Sequence, residues 1–118
     1  MLITVDPTSA VPLFDQIATA VRLAVVRGEL GAGERLPSAR ELAESLDLNV
    51  HTVLHAYRTL REEGLLEVRR GRGATVSTSG GRDFRDLRAA LDTLAAEGDR
   101  LGLTRQALAG LLTHEETR

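Results

Sequence analysis

With 118 residues, 42% of them hydrophobic and 27% charged, the chain has the balance of one small globular domain carrying an appendage. It contains no cysteine, which excludes disulfides, thiolate chemistry and Cys-based zinc sites, and no run nears the ~20 apolar residues of a membrane span. The formal charge of −2 at pH 7 opposes indiscriminate nucleic-acid binding, so such a function has to rest on where charge is placed.

No charged-then-apolar signal segment opens the chain, and a cytoplasmic location is expected. Met1 to Val5 alternates and is expected as a short edge strand, with Asp6-Pro7-Thr8-Ser9 as a turn. From Pro12 to Arg27, Leu13, Phe14, Ile17, Val21, Ala24 and Val25 recur at helical spacing, and Gly28 closes the run. Pro12 suits the first helical turn, where its missing N–H is not needed. Phe14 is expected in the core. Leu30 to Leu36, with Gly31 and Gly33, forms a tight connection suited to a short third strand.

A second helix starts at Ser38, which forms an S-x-x-E capping box with Glu41, and carries Leu42, Ala43 and Leu46. It fades before Asp47-Leu48-Asn49. Asn49 is a good N-cap for a third helix running to about Glu63, with Gly64 as its stop. At roughly 100° per residue, Val53, Ala56, Tyr57 and Leu60 share one face, and His51, His55 and Arg58 fall opposite. Such a helix suits a DNA groove, its start and outer face offering hydrogen-bonding groups to bases and phosphates.

Leu65–Val68 and Ala74–Ser77 read as two strands, with the cationic turn Arg69-Arg70-Gly71-Arg72-Gly73 between them. The fold class is mainly α with a small β-wing (α+β): a winged helix-turn-helix followed by a short two-helix C-terminal dimerisation tail. A plain αα-hairpin with a solvated arginine turn is the blander alternative. From Arg35 to Gly73, seven arginines face six carboxylates, so position matters more than sum. All basic residues except histidine are Arg, which suits bidentate contacts to phosphate or guanine, although genomic base composition accounts for it more simply.

The domain layout is expected as 1–77 for the winged unit, 78–81 for a small polar linker and 82–118 for the tail. A helix is expected from Arg82 to Glu97 with Gly98 as its stop, and a final one from Leu103 to Leu112 starting near Thr104. Residues 113–118 are expected to fray. Phe84, Leu87, Leu91 and Leu94 are spaced three, four, three, and with Leu103, Leu108, Leu111 and Leu112 form a seam for a homodimer. Folding of the tail back onto residues 12–27 is the alternative.

His51 and His55 stand at metal-binding spacing, but no H-E-x-x-H pattern surrounds them and the remaining histidine, His114, lies in the tail. No metal and no cofactor is expected. With no phosphate-binding glycine motif and no nucleophile elbow, the chain is not read as an enzyme.

Leu36-Pro37-Ser38-x-Arg40-Glu41-Leu42-Ala43, then Asn49-x-x-Thr52-Val53-x-x-Ala56-Tyr57-x-x-Leu60-x-x-Glu63-Gly64-Leu65, then Arg69-Arg70-Gly71-x-Gly73 resembles the DNA-binding domain of GntR-type bacterial transcription regulators. The resemblance covers Thr8 to Val76. Ala56-Tyr57 and the short tail resemble the YtrA-like branch, whose members lack a large effector domain. The resemblance implies a sequence-specific repressor that binds an inverted-repeat operator as a homodimer. It maps DNA contacts onto Arg40, Asn49, Val50, His51, Thr52, Arg70 and Gly71, with Ser38 capping its helix and touching a phosphate. Position on the exposed helix face adds His55 and Arg58, and position on the wing adds Arg72. Leu54 and His55 depart from members that carry a basic residue there, which leaves the base preference open. A small-molecule effector also stays open, since so small a tail does not by itself enclose a pocket of ~300 Å³ or more. The competing function is a winged-helix module for protein interaction, which the acidic overall charge favours; salt dependence separates the two.

Overall fold

Local start and stop signals set the helices of residues 1–82, the first of two units into which the chain divides; residues 83–118 form the second. The computed structural model describes residues 3–69, 73–78 and 84–116. Helix α1, Leu13–Val26, follows Pro12 at its N-cap, and Gly28 takes a positive φ of 81° just beyond its end. Its inner face buries Ile17, Ala18, Val21, Ala24 and Val25.

In α2, Ala39–Leu46, the capping box is formed: Glu41 N–H donates to Ser38 Oγ at 3.1 Å and Ser38 N–H to Glu41 Oε1 at 3.4 Å. The helix ends on Asp47, whose φ of 55° is the one left-handed value at a described non-glycine residue, and Leu48 N–H closes the turn on Ala43 O at 2.9 Å. Helix α3, Val50–Glu62, begins under a cap in which Asn49 Oδ1 accepts from His51 N–H at 2.8 Å. It ends through Gly64, at φ 79°.

α3 packs against both α1 and α2. Its buried stripe, Val53, Ala56, Tyr57 and Leu60, meets those of the other two helices, and Leu30, Leu36, Leu65 and Leu66 complete the core. Each such Val or Leu contributes about 1.5–3 kcal/mol when fully withdrawn from water.

The wing pairs β1, Leu66–Arg69, with β2, Gly73–Val76, antiparallel in the register Leu66↔Val76 to Arg69↔Gly73. Both strands sit one residue from the expected spans. Leu65 is drawn to the helix end, where its N–H bonds Leu60 O at 3.0 Å. The expected third strand is reduced to a single bridge, Arg35↔Thr75, flanked by Leu36 N–H to Ala74 O at 2.9 Å and Val76 N–H to Glu34 O at 2.8 Å.

Ile3 to Val5 do not form the expected edge strand, although Ile3 is buried; Met1 and Leu2 lie outside the described residues. The following segment is held by a side chain instead. Gln16 Oε1 accepts from Asp6 N–H at 2.8 Å, and its Nε2 donates to the carbonyls of Asp6 at 3.0 Å and Val11 at 2.9 Å.

The second unit is a pair of helices, α4, Arg85–Leu101, and α5, Arg105–Glu116. Gly98 is not the stop that the sequence suggests: α4 continues through it and ends at Gly102, φ 76°. Gly98 is a contact residue, since a Cβ there would lie 2.6 Å from a Leu108 methyl carbon. α5 also runs past the expected end at Leu112, so residues 113–116 are helical. Thr104 Oγ1 accepts from Ala107 N–H at 3.0 Å at its start, and Arg105 pairs with Asp99 at 2.7 Å across the turn. Among the described residues no helix is long and apolar enough to cross a membrane.

Candidate nucleic-acid interface

The two faces of α3 separate cleanly. Val53, Ala56, Tyr57 and Leu60 are buried, while His51, His55 and Arg58 are exposed on the other side. Val50 and Thr52 in the first turn are half-buried, and the capping Asn49 is exposed. The cap matters to this face because it fixes where the helix starts and so which side chains its first turn presents: His51 N–H is taken by Asn49 Oδ1 at 2.8 Å and Thr52 N–H by Asn49 O at 3.0 Å.

α2 is tied to α3 by Tyr57, whose hydroxyl donates to Pro37 O at 2.7 Å. Burial, with a smaller contribution from the nearby Glu41 carboxylate, pushes the phenol well above its ordinary value, so it stays a donor. Arg40, the second residue of α2, is exposed, and Ser38 is half-buried with its oxygen engaged in the capping box. At the far end of α3, Arg22 of α1 makes a two-pronged contact with Glu63, at 2.9 and 2.6 Å. That hydrogen-bonded carboxylate raises the Arg22 pKa further.

Phe14 departs from its expected core role. It is half-buried, and its ring stacks on His55 with centroids 3.8 Å apart and planes 14° from parallel. A shallow concavity beside the stack is lined by Leu13, Phe14, Asn49, His51, Thr52 and His55. The sequence offered no sign of this pairing. Phe14 falls on the same helical stripe as Ile17 and Val21, and only the crossing of α1 over α3 brings its ring to His55.

On the wing, Arg69 is exposed and lies 3.8 Å from Glu67. Arg70, Gly71 and Arg72, expected at its tip, lie outside the described residues. Among the described residues no three His, Asp or Glu side chains gather as metal ligands. In the second unit Leu87, Leu91, Leu111 and Leu112 are exposed, and Phe84 and Leu94 are half-buried. Leu108 is a correction: expected at a dimer seam, it is buried in its own chain, because Gly98 leaves the space it fills.

Residues 13–76 match the family described as bacterial regulatory proteins, gntR family. The chain is 40% identical over 76 residues to the HTH-type transcriptional repressor YtrA of Bacillus subtilis, covering 64% of this chain and 58% of that protein. It is 36% identical over 110 residues to the HTH-type transcriptional regulator Rv1152 of Mycobacterium tuberculosis, 93% of this chain and 90% of the relative. Among solved structures, YtrA from Sulfolobus acidocaldarius, a GntR-family transcription factor, superposes with a TM-score of 0.62 at 33% identity, over 82% of this chain and 99% of that one. The fold is the winged helix-turn-helix with a helical tail, these relatives are transcription regulators and not enzymes, and the chain belongs to the GntR family of bacterial transcriptional regulators.

Proposed function

We propose that this regulator acts as a cytoplasmic repressor, gripping an inverted-repeat operator in double-stranded DNA as a homodimer. The observation that carries the DNA-binding part is the exposed face of α3, His51, His55 and Arg58, which sits opposite a wholly buried one and behind an Asn49-capped start. Val50 and Thr52 reach the groove from the first turn, and Arg40 approaches from the exposed start of α2. Ser38 keeps its hydroxyl proton free for a phosphate while its oxygen caps the helix. Arg70, Gly71 and Arg72, read from the sequence, follow the backbone as the wing. The similarity to a YtrA repressor supports the repressing role.

Dimerisation is supported by the second unit. Two short helices are too few to be independently stable, and this pair leaves Leu87 and Leu91 on α4 and Leu111 and Leu112 on α5 exposed. The same surface on a second chain covers them in a self-complementary way. Footprinting on the DNA upstream of the protein's own gene tests the reading. The expected result is two protected half-sites related by a dyad, their centres about 10 base pairs or a multiple apart. Protection without a dyad contradicts the dimer, and binding indifferent to salt contradicts the DNA interface in favour of a protein partner.

A further inference from the structure

We infer that Phe14 of α1 is a positioning residue for base recognition: it acts through His55, fixing the plane in which that imidazole is presented to DNA. The inference rests on the reading of the exposed α3 face as the DNA interface. An exposed side chain on a helix normally samples several rotamers, and its ordering on binding weakens the complex. His55 is exposed, yet one face of its ring lies flat on Phe14, with centroids 3.8 Å apart and planes 14° from parallel. A ring held by one face has its plane fixed and its edge still open, and the edge carries both nitrogens, the atoms that donate or accept hydrogen bonds.

The surroundings agree. Phe14 stands one residue inside the α1 start, and α1 is anchored on α3 by buried Ile17 and Val21. Its ring is therefore held by a rigid element rather than by a loop. Thr59 donates its hydroxyl to the His55 carbonyl at 3.0 Å and Arg58 Nε approaches the Leu54 carbonyl at 3.4 Å, so neither of these side chains is drawn as a partner of the imidazole. Asn49, His51 and Thr52 line the same concavity as the stack, which places the held edge beside the first turn of α3. Stacking of this kind needs a flat aromatic surface at position 14. Leucine would fill the volume without holding the plane, whereas tyrosine would keep it.

The test starts by selecting a duplex from a randomised double-stranded pool with the wild-type dimer. Affinity is then measured for that duplex and for a scrambled one of equal composition. Phe14→Leu is expected to lower the preference for the selected duplex by about three- to tenfold, the size of coupling between contacting residues, with little change on the scrambled one. Phe14→Tyr should restore the preference, and in a His55→Ala background Phe14→Leu should have no further effect. Equal losses on both duplexes, or a Phe14→Leu effect that survives in the His55→Ala background, overturn the proposal. Failure of the wild type to enrich any duplex instead overturns the DNA-binding reading beneath it. A second measurement stands apart from variant folding: in the wild type without DNA, the His55 ring protons should resonate upfield from ring current, and His55 protons at the positions of His51 and His114 overturn the stack.

Discussion

The Tyr57 hydroxyl donates a 2.7 Å hydrogen bond to the carbonyl of Pro37, so the core face of α3 is bonded to the lead-in of α2. Tyr57 is 2% exposed, and removing its hydroxyl leaves that carbonyl without its partner. Tyr57→Phe should therefore lower stability by about 1 kcal/mol at pH 7. Because the folded chain holds the phenol above its usual 10.0, folding favours the protonated form. That contribution is complete below pH 10 and is lost as pH rises further, by about 1.4 kcal/mol per unit while the unfolded phenol is ionised and the folded one is not. Denaturant unfolding from pH 7 to 11 should show the wild-type and Tyr57→Phe curves converging above pH 10; parallel curves would contradict the buried donor.

Asp47 ends α2 in the left-handed region at φ 55°, where a side chain is tolerated but glycine is not strained. Asp47→Gly gains relief from that strain and loses it again through the freer unfolded chain, so stability should stay within about 0.5 kcal/mol. Asp47→Val, with a branched Cβ, should lose about 1–2 kcal/mol. Thermal melts of the two variants decide this, and a Val variant as stable as wild type would contradict the turn geometry.

Gly98 gives Leu108 its space, with a would-be Cβ 2.6 Å from a methyl carbon. Gly98→Val should open the α4–α5 pair at a cost of about 1–3 kcal/mol from overpacking. Hydrogen exchange should show α5 amides losing protection while those of α3 keep theirs; unchanged α5 protection would refute the contact.

Leu91 lies in the middle of α4 and is 45% exposed in a single chain. Leu91→Arg should give monomers with an intact winged unit, and operator binding should weaken by about 100-fold as the second half-site loses its linkage advantage. Light scattering beside an operator titration is the check. A variant that stays dimeric and binds normally would falsify the tail as the dimer element.

The three helices of the first unit were legible because each start and stop carries its own chemistry: Ser38 with Glu41, Asn49, Gly28 and Gly64 act within a few residues of themselves. The two faces of α3 followed from period alone. What stayed hidden depends on contacts between distant residues. Gly98 reads as a helix stop until Leu108 is placed against it, and Phe14 reads as core until α1 is laid across His55. Likewise, nothing near Asp6 reveals that its backbone N–H and carbonyl are both bonded by the side chain of Gln16, ten residues on. The leucine spacing of the tail was legible as a pattern, but the partition of those leucines between own-chain packing and exposed surface needed the structure, as Leu108 shows.

The most direct test of the interface is the affinity of wild type and Arg40→Ala for the footprinted operator, measured across a salt series. Arg40 is exposed at the start of α2 and takes no part in the core, so its loss should leave the melting temperature unchanged. Wild-type affinity should fall with salt by a log–log slope of about −0.9 per phosphate neutralised, and Arg40→Ala should lose about tenfold or more on the operator. A folded Arg40→Ala protein with wild-type affinity, or a wild-type affinity flat across the salt series, would contradict the interface.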